Sequence, residues 1–354
     1  MDNFKKILIV RTDRIGDVLL STPAIKALRR KFPRSHIAAM VRPYARDIVL
    51  GNPYLDEVII YDKYGSQRRL RQSIKFALRL RRKRFDLALV LHPTNRAHLV
   101  TYLAGIKRRV GFNRKLGFLL TDKIEHKKQE GRKHECEYTL DLLRLLKIEP
   151  QAKGLFMPIR EESEIYIKEF LVNQGVQRRD KLIAVHPGAS CPSKIWPAER
   201  FAEVAEKLAA EFKVKVVVVA GPDDLAIGKS LAGLLHCACI DASGKTTLSQ
   251  LGSLLRRCAL FISNDSGPVH IASALGVPVV AIFGRAQPGL SPQRWGPIGK
   301  GDIVLHKDVG CKDCLAHNCE RGFACLKAIS AEEVSSAARK VLSTYLIDRE
   351  GVTC

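Results

Sequence analysis

Short apolar runs alternate with polar, helix-patterned stretches along most of this chain. In the first half, Lys6–Val10 (KILIV), 37–41, 57–61 and 87–91 predict strands. A helix over 18–31 follows the first of them. Val18, Leu19, Ile25 and Leu28 form its apolar face, Arg29, Arg30 and Lys31 suit its C-terminal dipole, and Pro33 ends it. The stretch 105–133 is polar and basic and predicts loop, and 135–146 predicts a helix. The alternation then restarts. Strands are expected at 182–186, 215–220 (KVVVVA), 239–241, 260–263 and 277–283, with helices at 160–173, 198–212, after 221–224, at 248–257 and at 331–345. Two such arrays in succession predict an α/β protein with two Rossmann-like parallel-sheet domains facing an interdomain cleft. Pro150, Gly154 and Pro158 mark the linker. The expected division is 1–155, 156–330, and a C-terminal helical segment 331–354 that could pack back on the first domain.

The stretch 260–284, LFISNDSGPVHIASALGVPVVAIFG, reads as strand, turn, helix and strand. Pro268 suits the first turn of a helix and Gly276 its left-handed stop. A polar turn at the carboxyl end of a buried strand offers free N–H groups and a helix dipole to an anion. Asp265 and His270 bracket that turn with a carboxylate and a donor ring. An ordinary crossover with a polar turn would carry the same residue types.

Composition narrows the class. Hydrophobic residues make up 46% of the 354, as in a folded domain, and no run approaches the roughly 18 apolar residues of a membrane span. The first apolar run is too short for a signal peptide, so a cytoplasmic location is expected. The net charge of +23 is lopsided: residues 1–150 hold 34 Lys and Arg against 15 Asp and Glu, and 151–354 hold 25 against 21. The first half should therefore meet something anionic. Residues 68–84 carry nine Lys and Arg and no acid, with Leu70, Ile74, Leu78 and Ala77 toward one helical face. A crossover helix that packs this face on the sheet is the expected reading, and a membrane-surface helix is the other.

Four motifs in order, RTDRIGDVLLSTPAIKALRRKFP, HPGASCPSKIWPAERFAEV, VVAGPDD and NDSGPVHIASALGVPVVAIFG, resemble those of the lipopolysaccharide heptosyltransferases, glycosyltransferase family 9. The resemblance covers nearly the whole chain. It implies GT-B architecture and inverting, metal-independent transfer of a heptose from ADP-heptose to the inner core of lipopolysaccharide. In this reading Asp17 is the general base, as an acceptor hydroxyl needs one opposite the departing diphosphate. Asp13 suits a capping or supporting role. Lys194 and Ser190 meet the diphosphate, and Asp224 (or its neighbour Asp223) the ribose. Asp265, Ser266, Gly267 and His270 form the donor turn, and Arg11 and Arg14 bind anionic groups of the acceptor. The implied partners are ADP-heptose, the anionic lipid-linked core glycan and the inner-leaflet membrane surface, which the protein would meet peripherally.

Other readings are a different nucleotide sugar or glycan, a non-catalytic sugar-nucleotide sensor, and a nucleic-acid-binding protein. The last is opposed by low aromatic content (6%) and by the lack of a stacking or recognition module, so no nucleic-acid partner is expected. No catalytic cofactor is expected either. Cys311, Cys314, Cys319 and Cys325, spaced C-x2-C-x4-C-x5-C, fit a structural zinc, with His317 as a substitute ligand, or free thiols, a redox-dependent disulfide or an iron–sulfur cluster.

Overall fold

A computed structural model describes residues 4–149, 153–311, 313–314 and 316–350. By its internal contacts the chain divides into two compact units, Met1–Pro158 and Ile159–Cys354. Each is built on a six-stranded, wholly parallel sheet flanked by helices.

The first sheet contains β1 (Lys6–Val10), β2 (His36–Val41), β3 (Glu57–Ile60), β4 (Leu87–Val90), β5 (Arg108–Asn113) and β6 (Asp122–Glu125). The second contains β7 (Leu182–His186), β8 (Lys215–Val218), β9 (Cys239–Asp241), β10 (Cys258–Asn264), β11 (Val279–Phe283) and β12 (Ile303–His306). The first sheet runs β3-β2-β1-β4-β5-β6, and the second runs β9-β8-β7-β10-β11-β12 when read from the same end. The two orders are the same, so each unit has one topological switch point, at β1/β4 and at β7/β10. A ligand crevice opens at the carboxyl ends of the strands at such a point. The central strands β1, β4, β7, β10 and β11 are apolar and buried on both faces, as a covered parallel sheet requires.

Three local departures from the sequence expectation have physical causes. The helix over 18–31 is two helices, Ile15–Leu19 and Thr22–Lys31. Pro23 has no N–H for the Leu19 carbonyl, which instead accepts from Thr22 Oγ1 at 2.7 Å, while Ser21 Oγ caps Asp17 O at 2.8 Å. The stretch 105–133 holds β5 and β6 rather than loop alone. These strands extend the sheet to its edge, where half-exposed charged positions replace an apolar run. The helix Leu70–Arg81 buries Ser73, Phe76, Ala77 and Leu80, leaving Leu70, Ile74 and Leu78 exposed. Tyr61 sets this rotation: its ring meets Phe76 at 5.0 Å and its hydroxyl bonds Ser73 Oγ at 2.8 Å.

In the second unit, Trp196 is fully buried and edge-on to Phe201 at 4.9 Å. Its indole N–H donates to Ile329 O at 3.0 Å. The terminal helix Ala331–Glu350 packs on the helix Ala198–Phe212 and on β10, so its apolar face belongs to the second unit's core. No described helix is long and apolar enough to cross a membrane.

Trp196→Ala should lower the stability of the second unit by about 3–5 kcal/mol, chiefly by cavity formation, since Ile329 O keeps its bond from Arg200 Nη1. Denaturant unfolding followed by circular dichroism measures it; a loss under about 1 kcal/mol would mean that the loop after β7 is not anchored through this ring.

Candidate functional site

At the first switch point β1 runs directly into Arg11, whose backbone N–H continues the ladder to Met40 O at 3.0 Å. The guanidinium is 3% exposed and is surrounded by carboxylates: Asp17 Oδ1 at 2.6 Å, Asp13 Oδ1 at 3.0 Å and Glu135 Oε1 at 3.0 Å. Its Nη1 also donates to Leu91 O at 3.3 Å, just beyond β4. Lys128, itself buried, bonds the same Glu135 oxygen at 2.5 Å. Burial works against the Arg11 charge, but Asp13, Asp17 and Glu135 outweigh it and hold the guanidinium protonated well above its ordinary range.

Three carboxyl groups thus share two cations. The imbalance falls on Asp13. Its burial, opposed by Arg11 and reinforced by Asp17 and Glu135, pushes its carboxyl up to about 7. His92, 3.7 Å from Asp13, is pushed down to about 3 by burial and by Arg11, so its ring is neutral. Asp17 is the third residue of its short helix. Its Oδ2 accepts from Arg14 N at 3.3 Å, so the residue both caps the helix and faces Arg11.

Sequence reasoning gave Arg11 to an acceptor. Burial corrects that assignment: Arg11 holds Asp17 in place instead, and Arg14 is the exposed arginine of the pair. Glu135, Lys128 and His92 were not singled out, because nothing near them in sequence marks them. Beside the cluster Tyr44 donates to Asp13 O at 2.7 Å, and Arg42 lies between the Tyr44 and Tyr64 rings, 4.4 Å from each.

At the second switch point the loop after β7 is clamped by Asn264, the last residue of β10. Asn264 Oδ1 accepts from Trp196 N at 3.1 Å, and its Nδ2 donates to Pro187 O at 2.7 Å. This brings Lys194 Nζ to 2.6 Å from Asp265 Oδ2, both largely buried. Ser266 precedes the helix Gly267–Ala274 without a side-chain bond to its first turn, Gly267 is the helix's first residue, and His270 is buried one turn further on. Ser190 is exposed at the outer edge of the loop.

His186, unmarked by sequence reasoning except as a strand end, joins these parts. Its Nδ1 is 3.3 Å from both Ser263 Oγ and Ser266 Oγ, and its Nε2 is 3.7 Å from Asp224 Oδ2. Burial pushes the ring down to about 4, so it is neutral at ordinary pH. Asp224 also packs against Gly188, where any Cβ would come within 2.3 Å of the carboxyl carbon. Burial and the adjoining Asp223 raise the Asp224 carboxyl. Asp223 itself is exposed. His186 thus joins Ser266 and Asp224, while Lys194 pairs with Asp265, the residue before Ser266, and a cation, a hydroxyl and a carboxylate together suit a nucleoside diphosphate.

The four cysteines 311, 314, 319 and 325 are free thiols. Burial raises the Cys325 thiol, and the other three raise it further. Among the described residues no group of three or more His, Cys, Asp or Glu side chains is placed to hold a metal ion. The loop does touch the loop after β7, since Ala316 O accepts from Ser193 N at 3.1 Å.

The profile of glycosyltransferase family 9 (heptosyltransferase) matches residues 73–324. Lipopolysaccharide heptosyltransferase 2 of Escherichia coli is 28% identical over 299 residues, covering 81% of this chain and 85% of that protein. Among solved structures, the glycosyl transferase family 9 protein of Veillonella parvula superposes with a TM-score of 0.85 at 29% identity, covering 96% of this chain and 98% of the other. The E. coli ADP-heptose LPS heptosyltransferase II superposes at 0.78 with 25% identity, covering 96% and 99%.

His186 supplies a pH test. Its folded value of about 4 lies below the ordinary 6.5, so the unfolded chain binds the proton first as pH falls. The stability that depends on the neutral ring is complete above about 6.5 and lost as pH falls through about 4, a swing of about 3 kcal/mol. In His186→Gln the stability-versus-pH curve should be flatter over that window. Equal slopes in urea titrations of both proteins would refute the buried neutral ring.

Proposed function

Because this chain belongs to glycosyltransferase family 9, we propose that it transfers a heptose from ADP-heptose to the inner core of lipopolysaccharide, with inversion at the reacting sugar carbon. The observation that carries the donor half is that the carboxyl ends of β7 and β10 hold His186 against Ser266 and Asp224 and pair Lys194 with the neighbouring Asp265. The similarity to the E. coli ADP-heptose LPS heptosyltransferase II favours the same donor and acceptor class.

In the proposed reaction the acceptor oxygen bonds to the heptose carbon as its bond to the diphosphate breaks. The acceptor proton goes to Asp17 and ADP departs with the electron pair. Asp17 is suited to this because Arg11 and the Arg14 N–H fix both carboxylate oxygens, leaving the residue 13% exposed. Lys194 offsets the charge growing on the leaving diphosphate, at the cost of its contact with Asp265. Ser266 and the Gly267 N–H meet phosphate, Asp224 takes the ribose hydroxyls, and Ser190 and His270 complete the donor contacts. Arg14 faces the anionic acceptor. No metal takes part, and the cysteine loop has no role in the chemistry. The acceptor being lipid-linked, the protein works on the cytoplasmic face of the inner membrane as a peripheral protein.

Asp17→Asn should lower kcat by about 10²–10⁴ while ADP still raises the melting temperature as in the parent protein. Near-normal turnover would remove Asp17 from the role of base. Lys194→Ala should weaken donor use in kcat, KM or both, and a variant unchanged in each would make Lys194 a bystander. In a thermal-shift panel of nucleotide sugars, ADP-sugars should stabilise selectively; a response to another nucleotide alone would reassign the donor. Chelation with EDTA should leave turnover unchanged, and a chelator-sensitive rate restored by added metal would contradict the metal-free reaction.

A further inference from the structure

The helix Leu70–Arg81 presents an arrangement that neither folding nor the proposed chemistry uses. Its inner side, Ser73, Phe76, Ala77 and Leu80, packs in the core of the first unit. Leu70, Ile74 and Leu78 are 57%, 37% and 50% exposed. At spacings of four they form one outward stripe. Single exposed apolar residues are ordinary, but three in line on a polar helix make a patch.

The charge around the stripe is of one sign. Arg68, Arg69, Arg71, Lys75, Arg79 and Arg82 are all exposed, and no acid occurs between Asp62 and Asp86. Three of these arginines crowd the helix N-terminus, and its first turn holds no acid. The helix dipole disfavours cations at that end. Such a placement is electrostatically costly in water and is relieved when an anion approaches. On the neighbouring helix Asn95–Leu103 and the turn Gly117–Leu119, over the same sheet face, Tyr102 and Phe118 are 49% and 70% exposed. Aromatic side chains of this kind favour the boundary between head groups and acyl chains.

We propose that this face docks on an anionic phospholipid bilayer, with Leu70, Ile74 and Leu78 inserted at the head-group boundary and the flanking cations on lipid phosphates. An aliphatic stripe beside a basic band is the pattern of an interfacial helix. A nucleic-acid backbone would satisfy the cations but leave the stripe in water. A second copy would bring two cationic helices together. The inference rests on the proposed lipid-linked acceptor for its purpose, since docking would hold the first unit where such an acceptor lies, but not for its physical basis.

The test is co-flotation of the full chain with vesicles of neutral phosphatidylcholine and of phosphatidylcholine mixed with phosphatidylglycerol. The protein should float with the anionic vesicles only, and less at high salt. The triple variant Leu70→Ser, Ile74→Ser, Leu78→Ser should partition about tenfold less or weaker still. It should keep its melting temperature, its stabilisation by ADP and its rate on a delipidated acceptor. Three outcomes overturn the proposal: no flotation of the parent protein, equal flotation of the variant, or a parent dimer that the variant turns into monomer. Vesicle binding without ADP stabilisation would leave the docking surface standing while removing the transferase reading.

Discussion

The buried guanidinium of Arg11 organises the first unit. Removing the Arg11 guanidinium from water costs several kcal/mol unless the charge is met with good geometry. Here it is met by Asp13, Asp17 and Glu135, from the segment after β1, the short helix that follows it and the distant helix Glu135–Arg144. Each of these carboxylates holds the guanidinium from a different element. The arrangement therefore fixes where the helix carrying Asp17 begins, and with it the direction in which the carboxylate points. Burial, reinforced by Asp17 and Glu135 against Arg11, raises the Asp13 carboxyl.

The second unit reaches the same place in the same strand order by different means. Its switch point is organised by neutral hydrogen-bonding groups. Asn264 clamps the loop from β7 on two backbone atoms, and His186, neutral because buried, bridges the two serines of the β10 turn and approaches Asp224. The close ion pair there, Lys194 with Asp265, joins two side chains that belong to the proposed donor site. The division follows from the proposed ligands. A group receiving a proton needs a fixed carboxylate, so charge is spent on holding it. A pocket for a diphosphate needs its cation available, and the loop carrying Lys194 is held mainly by neutral groups, with the buried Arg285 bonded to Ser193 Oγ at 3.0 Å.

The candidate residues of the second unit stand out in the sequence because they sit in turns. Asp265, Ser266, Gly267, Lys194 and Asp224 follow strand ends at spacings a reader can recognise, and turn residues are local in their causes. The structure then separated Asp224 from Asp223 by packing against Gly188, a contact between segments far apart in sequence. The supporting residues were not legible. Glu135 and Lys128 look like surface charges on a basic stretch, and His186 looks like the end of a strand. Only the sheet order brings them beside Arg11 and Ser266.

The sequence by itself marked most strands and helices of both halves, though not β5, β6 or β12, and it placed a linker that ends at the observed break after Pro158 and the turns that carry the candidate chemistry. Apolar runs, Pro and Gly act over a few residues and write that information locally. Tertiary structure alone decided which carboxylates Arg11 meets, that the basic stretch 105–133 completes the first sheet, and which side of the helix Leu70–Arg81 faces water. Each of these turns on competition among distant groups. Phe76 and Ser73 answer to Tyr61, Arg11 answers to Glu135, and β5 answers to β4. Such contests are settled by burial and pairing across the fold, and local pattern does not record their outcome.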